Sequence, residues 1–254
     1  MDDERARVTL ASRFVRLVGV SDDTGTLLQD DQWNDDTMLL NLEVASLVGD
    51  RWSLGARAGL GRHVTPGAAG PATLAGVGDL TAVASYEWLP EWAANSWLPR
   101  GVAFAAITAP TGAADANAAA PLGRGYWSVT AGTSLAKTLR DVDVFLVPQL
   151  GMGFRQVAGP EEGQREVTAA ASLGVGYTFR KLPLRLALRL DPQVRWPQAL
   201  PERWSSPLSA DVSVLLNEAW RVALTYEDQT IFPLHRNASL GRGIALAVWH
   251  RWLR

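Results

Sequence analysis

The chain has 254 residues, a formal net charge of −2, 47% hydrophobic residues and no cysteine. The length suits one large domain, and we expect a single domain over residues 1–254. The small negative charge argues against a nucleic-acid partner, and the lack of cysteine excludes disulfides and zinc–sulfur sites. No window approaches the roughly 18 consecutive apolar residues of a membrane helix. In a β-barrel, however, only every second residue of a strand faces the lipid, so a transmembrane strand contains no long apolar run.

The first half of the chain alternates apolar and polar residues with a period of two. This pattern indicates strands, because successive side chains leave opposite faces of an extended chain. In one stretch Trp52, Leu54 and Leu60 share an apolar face, opposite Arg57 and His63. The alternation predicts six strands in this half, over residues 6–20, 37–48, 52–64, 76–88, 101–110 and 125–139.

A long acidic loop, residues 21–36, separates the first two predicted strands. It contains six aspartates, namely Asp22, Asp23, Asp30, Asp31, Asp35 and Asp36. Calcium prefers such oxygen ligands, but the spacing matches no EF-hand pattern. The sequence therefore predicts no cofactor and no metal site. A solvated loop that attracts cations to a pore mouth is the favoured interpretation, with calcium binding as the alternative.

The second half repeats the alternation in strands of similar length. Between Val167 and Phe179, for example, Leu173 lies on the apolar side and Gly174 and Thr178 on the polar side. The predicted strands cover residues 142–157, 166–179, 184–195, 208–216, 220–230 and 240–253. Several are about twice the five or six residues of an ordinary strand. That length is close to what crosses a bilayer at a tilt.

These twelve strands predict an all-β fold, a transmembrane antiparallel up-and-down β-barrel. Tight turns near Gly49, Arg140, Lys181 and Glu218 alternate with long loops, as do the periplasmic turns and extracellular loops of outer-membrane barrels. We therefore expect a protein of the bacterial outer membrane, surrounded by the lipid bilayer. An exported protein needs a signal peptide, and none follows Met1, so we expect this sequence to be the mature form with an added methionine.

The eleven tryptophans concentrate at predicted strand ends and in one connector. Aromatic girdles at the two lipid–water boundaries explain this placement, because indole is apolar with one polar edge. The alternative is a soluble β-sandwich with tryptophans in its core. The predicted interface residues are Trp52, Trp88, Trp92, Trp97, Trp127, Trp196, Trp220, Trp249 and Trp252.

Two segments carry short motifs that resemble a known family. They contain Gly76, Gly78 and Asp79; Pro110, Thr111 and Gly112; Gly123 and Gly125; and Gly132 and Ser134. This arrangement resembles the outer-membrane transporters of the family "MetA-pathway of phenol degradation", over about a quarter of the chain. The resemblance implies a channel for small solutes, aromatic or hydrophobic ones among them. It implies no catalytic residue.

The chemistry available for catalysis is limited to three histidines, His63, His235 and His250. An outer-membrane lipid hydrolase would need a serine–histidine pair with an orienting polar group. His235 has Ser239 nearby in sequence, but no recognisable motif surrounds it. We therefore expect no enzyme and no catalytic residue, and keep a lipid hydrolase as the third hypothesis.

Charged residues on the polar strand faces are the candidates for lumen and selectivity roles. They are Glu43, Arg57, Asp79, Asp143, Arg155, Arg185, Arg189, Asp211, Arg221 and Glu227. Buried charges need partners, so these acids and bases should pair along or across the wall. The group from Arg185 to Glu227 predicts either a constriction or a structural salt-bridge ladder. Twelve strands allow an open narrow pore or a blocked one.

The first functional hypothesis is therefore a channel for passive uptake of small solutes. The second is a non-conducting structural or assembly barrel that partners another envelope protein. The two differ in whether the lumen conducts and whether a protein partner co-purifies.

Overall fold

The protein is described here from a computed structural model over residues 4–28, 35–65, 71–90, 97–112, 126–155, 165–198, 201–232 and 234–253. The secondary structure in these ranges is entirely β. Its sixteen segments are β1 (Glu4–Ser21), β2 (Leu27–Leu28), β3 (Asp36–Val48), β4 (Trp52–Thr65), β5 (Ala72–Val77), β6 (Leu80–Leu89), β7 (Arg100–Ala109), β8 (Tyr126–Leu139), β9 (Val142–Arg155), β10 (Arg165–Thr178), β11 (Leu184–Leu190), β12 (Gln193–Pro197), β13 (Arg203–Ser205), β14 (Leu208–Leu215), β15 (Trp220–Asp228) and β16 (Ser239–Leu253). No helix in these ranges is long and apolar enough to span a bilayer.

The segments form one closed antiparallel barrel of twelve strands. Consecutive strands pair around the ring, and the barrel closes where β1 pairs with β16. Three barrel strands consist of two segments each: β5 with β6, β11 with β12, and β13 with β14. The short β2 extends the β1 edge. The predicted fold class is thus confirmed, and the predicted strands lie within a few residues of those observed.

The interruptions in two neighbouring strands coincide at prolines. Pro192 separates β11 from β12, and Pro207 separates β13 from β14. Proline has no backbone N–H to donate to a sheet ladder. Both prolines instead accept hydrogen bonds through their carbonyls, from Ala171 N to Pro192 O and from Asp191 N to Pro207 O, each at 2.9–3.0 Å. The strands bend at this level without losing their neighbours.

The apolar residues of this barrel face outward. Among the described residues the buried apolar side chains are three alanines, Leu240 and Pro207. By contrast Leu42, Leu54, Leu150 and Leu188 are 48–65% exposed. A soluble protein does not expose a continuous apolar belt of this kind, so the β-sandwich alternative is wrong. Lipid contact accounts for the belt.

At the end of the barrel that has the long loops, a row of charged side chains on four adjacent strands borders the apolar belt. Asp228, Arg242, Arg16 and Asp36 stand next to one another in the strand register. Arg16 Nε lies 2.8 Å from Asp36 Oδ1, and Arg242 Nε lies 2.9 Å from Asp228 Oδ2. Following the usual loop asymmetry, this is the extracellular end, and the end with the tight turns is the periplasmic one.

Candidate functional site: the barrel lumen

The barrel encloses a cavity of about 780 Å³. Side chains from β1, β3, β4 and β6–β10, with β12, line it. Most lining groups are hydroxyls, amides and charged side chains, whereas the outer face of the same strands is apolar. The cavity is therefore the polar lumen that the alternation predicts, and it is large enough for a small solute.

The predicted lumen residues fall into two groups. Glu43, Arg57 and Asp79 line the cavity. The others with described side chains lie on lumen-facing strand positions outside it: Asp143, Arg185, Arg189, Asp211, Arg221 and Glu227. The side chain of Arg155 lies outside the described residues. The predicted group from Arg185 to Glu227 therefore lies on a part of the lumen wall that does not line the cavity. The selectivity roles of all ten residues stay predictions.

Several cavity residues were not among the predicted site residues: Arg7, Arg13, Tyr126, Glu166 and Arg195. The alternation in β1 does put Arg7 and Arg13 on the polar face, so that signal was available. Tyr126, Glu166 and Arg195 lie at strand ends or beside the Pro192 bend. There the sequence alone does not fix which end of a strand reaches the cavity.

Several lumen-facing arginines are paired with a carboxylate, as buried charges require. Arg13 Nη2 donates to both carboxylate oxygens of Glu227, at 2.7 and 2.8 Å. The other close pairs are Arg100–Glu87 at 2.6 Å, Arg189–Asp191 at 2.7 Å and Arg185–Asp143 at 3.1 Å. Such pairs fix side chains against the wall more than they stabilise the fold, because water reaches them.

Other lumen-facing arginines are not paired in this way, and Arg57 and Arg221 are among them. Among the residues described, neither Arg57 nor Arg221 has a carboxylate within 4.0 Å or a side-chain hydrogen bond. Arg57 belongs to the cavity lining and is exposed within it. Arg221 instead lies near the periplasmic end, where Arg185 and Arg251 are its charged neighbours together with Asp143.

Glycines let long side chains lie flat on the wall and reach a partner two strands away. Arg185 on β11 passes over Gly176 of β10 to reach Asp143 on β9. A Cβ at position 176 would overlap the guanidinium, with Arg185 Cζ only 2.7 Å away. Glycine therefore keeps this space open in the wall. The sequence predicts room at the lumen glycines, and the structure shows neighbouring side chains occupying it.

The same arrangement recurs on other strands. Tyr126 of β8 passes over Gly153 of β9, and its hydroxyl donates to Glu166 Oε1 of β10 at 3.3 Å. On the outer face Trp88 of β6 lies over Gly101 of β7, and its Nε1 donates to Thr133 of β8 at 3.1 Å. Of these two side chains, Tyr126 lies along the lumen wall and lines the cavity.

Two of the family motifs, Gly-x-Gly-Asp and Pro-Thr-Gly, form a structural clamp at the extracellular end, while Gly123 and Gly125 lie outside the described residues. Asp79 Oδ1 accepts a hydrogen bond from Gly112 N at 3.0 Å, and Leu80 N donates to Thr111 Oγ1 at 2.9 Å. Gly78 N donates to Gly59 O at 2.7 Å, where β5 gives way to β6. The Gly-Asp and Thr-Gly motifs thus tie the interrupted strand to β7. This explains the motifs without any catalytic role.

Most of the predicted interface tryptophans are exposed, and the assignment of one of them needs correction. Trp52, Trp88, Trp97, Trp127, Trp196, Trp220 and Trp252 are 42–90% exposed, and Trp92 lies outside the described residues. His250 packs edge-on between Trp220 and Trp252, with ring centroids 4.5 and 4.3 Å apart. Trp249 is the next residue to His250 and so faces the lumen, opposite Arg221 and Thr9 in the register. Its assignment to the membrane interface was wrong, because it rested on distance from the strand end and ignored the face.

The histidines make no hydrogen bond to a serine in the described part of the chain. His63 is buried, and its two ring nitrogens contact the hydroxyls of Thr37 at 2.7 Å and Thr65 at 2.9 Å. His235 Nδ1 contacts Phe232 O at 3.1 Å. Nothing in this geometry favours the hydrolase hypothesis.

Three of the four described aspartates of the acidic loop, Asp22, Asp35 and Asp36, have structural partners. Asp22 Oδ1 accepts hydrogen bonds from Thr24 N and Thr26 N at 2.9 and 2.8 Å. Those bonds, led by the one from the Thr24 hydroxyl, hold the pKa of Asp22 below its ordinary value. Asp35 lies beside His63, and Asp30 and Asp31 lie outside the described residues. Within the described ranges no group of three or more acidic or histidine side chains is placed to hold a metal ion.

The sequence was compared with the profiles of known protein families. The profile of the family "MetA-pathway of phenol degradation" matches residues 62–190, which is about half of the chain. The chain belongs to this family. The matched region contains the Asp79–Gly112 clamp and the glycines that Arg185 and Tyr126 cross, so the family pattern coincides with the wall architecture. No curated protein matches the chain.

Solved structures with the same fold are outer-membrane barrels. A crystal structure of an outer-membrane channel from Pseudomonas putida F1 is 18% identical, with a TM-score of 0.78 over 99% of this chain and 98% of that one. The β domain of the Bordetella autotransporter BrkA is 11% identical, with a TM-score of 0.54 over 99% and 100%. CymD, a monoaromatic hydrocarbon channel, is 10% identical, with a TM-score of 0.53 over 100% and 90%. The fold is therefore that of an outer-membrane β-barrel.

Proposed function

We propose that this family member is a channel for passive uptake of small solutes across the outer membrane. The observation that carries the proposal is the polar cavity of about 780 Å³ inside an apolar belt. Its long side chains lie flat against the wall over glycines, which leaves free space for a solute. Passive diffusion requires only such a polar path through the bilayer. No cofactor, catalytic residue or protein partner is needed for it.

The composition of the cavity wall favours small polar solutes, including aromatic ones. Hydroxyl, amide and charged groups dominate the lining, and they would be poorly matched to a plain hydrocarbon. Two aromatic side chains nonetheless line the wall, Phe104 over Gly132 and Tyr126 over Gly153. Their rings offer stacking surface to an aromatic solute. The P. putida structure, an outer-membrane channel, supports a channel role, and CymD, a monoaromatic hydrocarbon channel, supports the aromatic part of the proposal but not its polarity.

Liposome swelling tests this function directly. Proteoliposomes containing the purified barrel should swell in arabinose faster than in raffinose, because a cavity of this size admits the monosaccharide more readily. Protein-free liposomes and liposomes made with heat-unfolded protein provide the controls. Swelling no faster than in these controls, from protein shown to be folded, would contradict the channel and favour a structural or assembly barrel.

A further inference from the structure

The cavity contains more cationic than acidic side chains. Its lining includes Arg7, Arg13, Arg57 and Arg195 against Glu43, Asp79 and Glu166. Arg13 is neutralised by Glu227, which lies outside the lining. Three arginines and three carboxylates remain, so the cavity is distinguished by how firmly each charge is paired and not by an excess of one sign. An unpaired charge in a cavity with low-dielectric walls acts strongly on a solute inside that cavity.

Each acidic side chain of the lining contacts a group other than Arg57. Glu43 is the cross-strand neighbour of Arg57, yet the basic group within its reach is Arg7, at 3.8 Å. Asp79 accepts the backbone N–H of Gly112. Glu166 accepts the hydroxyl of Tyr126.

Arg57 therefore keeps a free guanidinium in the cavity, within the described part of the chain. Arg195 on β12 has only one long hydrogen bond there, 3.4 Å to Gln193 Oε1. β12 and β4 are far apart in the strand order, with β6 to β10 between them. Two weakly engaged guanidiniums thus line one polar space from different parts of its wall. Such donors are matched in shape and charge to a carboxylate.

We propose that the cavity contains a binding subsite for aromatic carboxylates, with Arg57 as the residue that receives the carboxylate. Arg195 supplies a second positive group, and the rings of Phe104 and Tyr126 supply the aromatic surface. This inference rests on the proposed function, because it names the solute class of the same lumen. It adds a selectivity that a neutral polar pore would lack.

Fluorine NMR of 4-fluorobenzoate, titrated into the purified barrel in detergent, measures the subsite without requiring conduction. Arg57→Gln should weaken binding about tenfold, since a charge-assisted pair is lost. 4-Fluorobenzamide, which has the same ring without the charge, should bind the native protein as weakly as 4-fluorobenzoate binds this variant.

Arg221→Gln is the matched control, because it removes an equally unpaired arginine that lies outside the cavity lining. Binding of 4-fluorobenzoate should survive in that variant. If both variants weakened the binding of 4-fluorobenzoate equally, the effect would come from the total positive charge of the lumen. That result would overturn the subsite. Unchanged binding in Arg57→Gln, or equal binding of the benzamide, would overturn it as well. Failure of the channel itself would appear separately, in liposome swelling.

Discussion

At the scale of single residues, the lumen depends on positions that have no side chain. Gly176 leaves the space in which Arg185 lies flat on its way to Asp143. Any larger residue there would push the guanidinium away from the wall and into the pore. The wall glycines therefore widen the pore, because they let neighbouring long side chains lie against the wall.

Replacing Gly176 with valine tests this role. Gly176→Val should lower single-channel conductance, because Arg185 would project into the lumen, while stability should change by only about 1 kcal/mol. Combining it with Arg185→Ala should restore the conductance, since the displaced side chain would then be gone. Equal conductance losses in the single and double variants would show that the valine blocks the pore by itself.

At the scale of elements, the critical junction is where the first and last strands meet. Arg13 on β1 reaches across β16 to Glu227 on β15, with Gly243 and Ala245 as the small residues in between. The contact joins three strands at the seam that closes the barrel. A local unpairing of β1 from β16 must break it.

Glu227→Gln should therefore destabilise the closed barrel. The pair is partly exposed, with side-chain exposures of 37% and 17%, so we expect a loss of about 1 kcal/mol. The temperature at which the folded band disappears in heat-modifiability gels measures it. Asp141→Asn is the control, because it breaks a contact of 2.8 Å with the exposed Arg180 away from the seam. Equal shifts in both variants would contradict a special role for the seam.

At the scale of the whole molecule, the sequence predicts the barrel well and the cavity poorly. Period-two alternation is local, so the strand at Val167 to Phe179 and its lipid face could be predicted directly. Which side chains share the cavity depends on register between strands far apart in sequence, as with Arg57 on β4 and Arg195 on β12. The contact of Arg185 with Asp143 across Gly176 likewise involves three strands. Trp249 shows that even a local assignment fails when the face is not considered.

The central claim is that the lumen conducts, and single-channel recording in a planar bilayer tests it most directly. Purified, heat-modifiable protein in molar potassium chloride should give steady current steps of uniform size, because the polar cavity would carry hydrated ions. Silence from protein that is demonstrably folded and inserted would contradict the channel, and would mean that this barrel serves the envelope without passing solutes.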